Sequence, residues 1–105
     1  MRVLVIGAGA VGGFVGARIA LSGHDVTLVG RPRFVEAVNT AGLVLTEPDG
    51  MQRVASVTAA ASLAEAFSRS APYDLALLTV KAYDTQVVCD ELGAATSTPP
   101  PLVTL

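Results

Sequence analysis

Gly7, Gly9 and Gly12 stand in G-x-G-x-x-G spacing, with Ala8, Ala10 and Val11 between them. That pattern can do one thing well, which is to cradle a pyrophosphate. Gly7 permits a tight turn, Gly9 lets backbone approach the phosphates, and Gly12 lets the next helix lie close on the strand. The free amides and positive dipole end of that helix then face the anion. The flanks make the spacing informative. Val3-Leu4-Val5-Ile6 runs straight into it as a strand covered on both faces, and a helical run leaves it. The expected cofactor-binding residues of the turn are Gly7, Ala8, Gly9, Ala10, Val11 and Gly12.

Two further positions belong to the same chemistry. NAD-binding versions of such a turn carry an Asp or Glu at the end of the second strand, accepting hydrogen bonds from the ribose hydroxyls. Here that place holds Gly30, followed by Arg31, whose guanidinium can grip a 2′-phosphate bidentately. The pair predicts NADP (NADPH) over NAD, against the alternative of an ordinary surface arginine at a helix start. Arg33 either assists or is solvated. Lys81 directly follows Asp74-Leu75-Ala76-Leu77-Leu78-Thr79-Val80 and is the candidate catalytic-site cation, beside nicotinamide or an anionic substrate. The alternative is a strand-end lysine reaching for water. Tyr83 is expected to pack over the same rim. His24 reads as a surface histidine at the opposite end of the sheet, and Cys89 as a small core or edge residue without an activating cation. No zinc spacing, Ser-His-Asp set or basic aromatic array is present, so metal and nucleic-acid chemistry are not expected.

The elements that must hold these residues alternate. A helix is expected after the glycines, with Val11, Val15, Ile19 and Ser22 on one stripe and Gly23 as its cap. Val26-Thr27-Leu28-Val29 follows as the second strand, and Arg31-Pro32-Arg33-Phe34 opens a second helix that Asn39 to Gly42 closes. Leu43–Thr46 and Val54–Thr58 flank the turn residues Pro48-Asp49-Gly50 as an appended strand pair. Ser62-Leu63-Ala64-Glu65 fits a capping box for a helix over 63–68. Asp74–Val80 is a buried strand, and Asp84 caps a helix to about Leu92 that Gly93 stops. Leu102-Val103-Thr104-Leu105 opens a further buried strand. The fold class implied is α/β, a doubly wound, Rossmann-like, mostly parallel sheet with ligands at the carboxyl ends of the strands.

The 105 residues suffice for one dinucleotide-binding domain, 1–105, which ends within its last expected strand. Hydrophobic residues make up 51% and charged ones 15%, an apolar balance that implies a surface meant to be covered. The net charge of −2, with basic residues scattered, excludes a nucleic-acid footprint. Glycine interrupts the apolar N-terminal run five times before Ala17, against a secretory signal or membrane span. A single cysteine suits a reduced, cytoplasmic setting.

The order of motifs resembles the N-terminal, NADP-binding domain of the ketopantoate reductase (2-dehydropantoate 2-reductase) family. The resemblance rests on Ile6-Gly7-Ala8-Gly9-Ala10-Val11-Gly12-Gly13, Gly23-His24-Asp25-Val26, Val29-Gly30-Arg31, Gly42-Leu43, and Tyr73-Asp74-Leu75 through Val80-Lys81-Ala82-Tyr83-Asp84-Thr85. It implies an NADPH-dependent reduction of the 2-keto group of ketopantoate to pantoate, on the route to pantothenate and coenzyme A. It further implies that Arg31 holds the 2′-phosphate and that Lys81 lies by cofactor and substrate at a domain cleft. Family members continue into an Asn-Gly segment and a helical second domain carrying the proton-donor lysine, neither with a counterpart in residues 1–105. The resemblance therefore implies the cofactor half of an oxidoreductase, inactive alone. Its partners would be a small 2-keto acid, the missing helical domain and, through uncovered surface, copies of itself, with neither nucleic acid nor membrane. Two alternatives stand beside it. One is a standalone nucleotide-sensing regulatory domain, disfavoured by Gly30-Arg31, and the other is a reductase of a different 2-keto acid.

Overall fold

The computed structural model describes residues 1–7, 10–69, 72–79 and 85–105, with residues 10, 11 and 85 described by backbone alone. Ala8, Gly9, Lys81, Tyr83 and Asp84 lie outside the described residues, as does the end of the expected strand at Val80.

The elements run β1 (Arg2–Ile6), α1 (Ala10–Leu21), β2 (Asp25–Val29), α2 (Pro32–Ala41), β3 (Leu43–Thr46), β4 (Gln52–Ala55), β5 (Thr58–Ala60), α3 (Leu63–Arg69), β6 (Leu75–Leu78), α4 (Thr85–Ala95) and β7 (Leu102–Thr104). Five strands form one sheet in the order β5-β2-β1-β6-β7, and β3 and β4 form a separate pair. Every pairing in the main sheet is parallel. The chain winds outward from β1 through β2 to β5, then restarts on the other side at β6 and continues to β7. This is the doubly wound arrangement, and its switch point lies between β1 and β6.

Both faces of the sheet are buried, as the unbroken apolar runs require. Leu4, Ile6, Ala60, Ala76 and Leu78 meet Leu63 and Ala66 of α3 and Val88 and Leu92 of α4. On the other face Val3, Val5, Val26, Leu28 and Leu77 meet Val15 and Ile19 of α1 and Phe34 of α2. Ser62 caps α3 as expected, and Glu65 reaches back one residue further than a strict capping box. The Glu65 amide donates to Ser62 Oγ at 3.1 Å, and the Glu65 carboxylate accepts from the Ala61 amide at 3.2 Å.

Four local expectations need correction. The run Val54–Thr58 is not one strand: Val54 and Ala55 end β4 in an antiparallel hairpin, and Thr58 begins β5 in the main sheet beside β2, because one straight strand cannot serve both sheets. Gly93 does not stop α4, which runs on to Ala95. Val88, Leu92 and Ala95 pack on the core through that helix, and their burial outweighs the roughly 1 kcal/mol helix penalty of one glycine. Cys89, on the same helix, is exposed rather than part of the core. Finally, β7 is no buried strand: it is the sheet's edge, with Val103 45% exposed.

Candidate functional site

The carboxyl ends of the strands are level. Ile6 stands in register with Val29 of β2 and with Leu78 of β6, so the residues that follow each strand share one rim. Backbone bonds carry the ladder one step past the strands. The Gly7 amide donates to Val29 O at 3.1 Å, the Gly30 amide to Ala60 O at 3.0 Å, and the Thr79 amide to Ile6 O at 3.0 Å. Gly7, Gly30 and Thr79 are thus lined up across β1, β2 and β6, with Gly7 and Thr79 flanking the switch point.

The glycines of the turn have the mechanical roles expected of them where they are described. Gly7 turns the chain at φ 96°, a backbone conformation that a side chain disfavours. At Gly12 a Cβ would stand 2.5 Å from the Gly7 carbonyl oxygen and 2.7 Å from Thr79 Oγ1, so the first turn of α1 lies on the strand with no space between. The rest of that contact face follows suit. Gly12, Gly13, Gly16 and Ala17 are the buried positions, while Val15 and Ile19 of the expected stripe are half-buried. Ala10 lies within α1, as does Val11, so the helix start follows the turn as the spacing predicts.

Arg31 sits at the N-terminal boundary of α2 with extended backbone, φ −67° and ψ 153°, and Pro32 takes the first helical position behind it. Arg31 is exposed, and among the described residues no carboxylate pairs with it. The end of β2 therefore offers a rim cation and no acceptor carboxylate. His24 is exposed at the amino end of β2, away from the rim, as expected. Arg18, by contrast, is committed elsewhere. Its guanidinium makes two bonds to Glu47, of 3.2 and 3.0 Å, tying α1 to the β3–β4 turn.

One residue of the rim was not anticipated. Thr79 Oγ1 donates towards Gly7 O at 2.7 Å and lies 3.1 Å from Ile6 O. Within the apolar run Leu75–Val80 a threonine is unremarkable, since β-branched residues suit strands; its position one step past β6 was the available signal.

A parallel sheet wound both ways from β1, with the positive-φ Gly7 at its switch point, defines a Rossmann-like nucleotide-binding fold. The chain belongs to the ketopantoate reductase PanE/ApbA family, whose model matches residues 3–103. It is 39% identical over 95 residues to a 2-dehydropantoate 2-reductase of Pyrococcus horikoshii, covering 90% of this chain and 28% of that protein. A second, from Mesorhizobium japonicum, is 34% identical over 94 residues, covering 89% and 27%. The crystal structure of a PanE/ApbA family ketopantoate reductase from Ralstonia eutropha JMP134 superposes with a TM-score of 0.85 at 31% identity, covering all of this chain and 34% of that one. The chain thus spans about 28% of the length of the first of these relatives.

Proposed function

We propose that this chain is the NADPH-binding portion of an enzyme that reduces the 2-keto group of ketopantoate to pantoate in the cytoplasm. The observation that carries the cofactor choice is the end of β2, where Gly30 replaces an acceptor carboxylate and Arg31 is exposed with no acidic partner among the described residues. The turn fits the pyrophosphate, since Gly12 is packed too tightly for any side chain and Gly7 occupies a glycine conformation. When bound, the cofactor supplies the hydride. The chain's own residues bind and orient: the turn takes the pyrophosphate and Arg31 takes the 2′-phosphate. Lys81, four residues before the start of α4, is assigned to the substrate side of the rim on sequence alone. Family membership supports the reductase reading over the sensing-domain alternative.

The chain spans 28% and 27% of those two relatives, and we assign completion of the pocket to a helical second domain. The chain alone is then a binder with negligible turnover of ketopantoate. Titration of the chain with NADPH and NADH tests the reading. NADPH is expected to bind more tightly, and Arg31→Ala to weaken NADPH by about ten- to a hundred-fold while changing NADH by less than about two-fold. Equal affinity for the two nucleotides overturns the NADP assignment, and appreciable ketopantoate reduction by the chain overturns its dependence on a second domain.

A further inference from the structure

Gly7 is held from both sides of the switch point. Its amide is bonded to β2 through Val29 O at 3.1 Å, and its carbonyl faces the other way, where the Thr79 hydroxyl meets it at 2.7 Å. The second carbonyl within reach of Thr79, that of Ile6 at 3.1 Å, already accepts the Thr79 backbone amide. A hydroxyl has one hydrogen, and the shorter contact marks Gly7 O as its acceptor. The space for a Cβ at Gly12 ends at the same two atoms, Gly7 O and Thr79 Oγ1. Turn, helix and the β6 end therefore converge on a single hydrogen bond.

We infer that Thr79 is a positioning residue for the nucleotide: its hydroxyl holds the Gly7 carbonyl towards the β6 side of the switch point. A peptide unit is planar, so fixing that carbonyl fixes the orientation of the whole unit and hence which groups of the turn face the pyrophosphate. A free carbonyl oxygen would repel an anion, and the bond to Thr79 occupies this one. Sequence spacing of the glycines does not contain this element, because the threonine comes from a strand 72 residues further on. The inference deepens the nucleotide-binding reading and rests on it.

The test compares Thr79→Val, Thr79→Ala and Thr79→Ser in the intact chain, with NADPH and with adenosine 2′-phosphate as ligands. Valine keeps the shape of threonine but puts a methyl where a 2.7 Å hydrogen bond stood, and alanine removes the donor without crowding. Both are expected to weaken NADPH by about ten-fold, the effect of one hydrogen bond. Thr79→Ser, which keeps the donor, is expected to stay within about three-fold of the parent chain. Adenosine 2′-phosphate has no pyrophosphate and engages Arg31, so its affinity is expected to be the same in all four proteins. Parent-like NADPH affinity in the valine and alanine variants, whatever their melting temperatures, overturns the positioning role and leaves nucleotide binding standing. Parallel loss of both ligands also overturns it, since that is the mark of a general disturbance of the fold. A parent chain that binds neither ligand overturns the nucleotide reading itself, and the role of Thr79 with it.

Discussion

A single added carbon separates the two kinds of glycine in α1. At position 12 it would meet a backbone oxygen at 2.5 Å and the hydroxyl of a β-branched residue at 2.7 Å, neither of which can swing aside. Gly12→Ala is expected to cost roughly 1–3 kcal/mol in thermal unfolding and to abolish measurable NADPH binding, because helix and turn must move apart. At position 16 the added carbon would meet Leu28 Cδ2 at 2.8 Å, the far end of a flexible side chain. Gly16→Ala is therefore the milder change in both assays. Retention of NADPH affinity by Gly12→Ala would show that the close approach serves packing only. Arg31 belongs to this scale too, since it is exposed and no carboxylate among the described residues pairs with it.

Among the elements, α4 gives the plainest prediction. Gly93 lies inside the helix, is exposed, and has nothing within 4 Å of a built Cβ. Gly93→Ala is expected to raise stability by about 0.5–1 kcal/mol, read as a higher melting temperature, with nucleotide affinity unchanged. The same helix shows where sequence reading succeeds and fails. Types of element followed from local pattern: the apolar runs at β1 and β6 and the Ser62 cap of α3 formed as read, because nearest-neighbour chemistry decides them. Boundaries set by distant packing did not. Gly93 reads as a stop until Leu92 and Ala95 are seen packed on the core, and Val54–Thr58 reads as one strand until its two ends are seen in different sheets. The site divided in the same way. The turn at Gly7 and the close packing at Gly12 followed from the spacing, and the exposure of Arg31 from its place before a helix. Thr79 did not, because its partner is Gly7 and only the sheet brings β6 beside β1.

For the whole molecule, the consequential surface is the open side of the sheet. β7 is a parallel edge strand whose outer side pairs with no strand among the described residues, with Val103 45% and Leu105 65% exposed. Such an edge invites pairing or covering. In sedimentation at increasing concentration the chain is expected to associate, and Val103→Lys to lower that association without altering NADPH affinity. A chain that stays monomeric at all concentrations would overturn this. The seam between α1 and the sheet has the opposite character. Where Gly12 meets Gly7, main chain rests on main chain, with the Thr79 hydroxyl against both. Substitutions among Leu4, Val26 or Leu92 alter how firmly the molecule holds together, whereas the width of that seam is set where two stretches of backbone and one hydroxyl meet. Changes in the core and changes at the seam are therefore expected to separate, the first read in melting temperature and the second in nucleotide affinity.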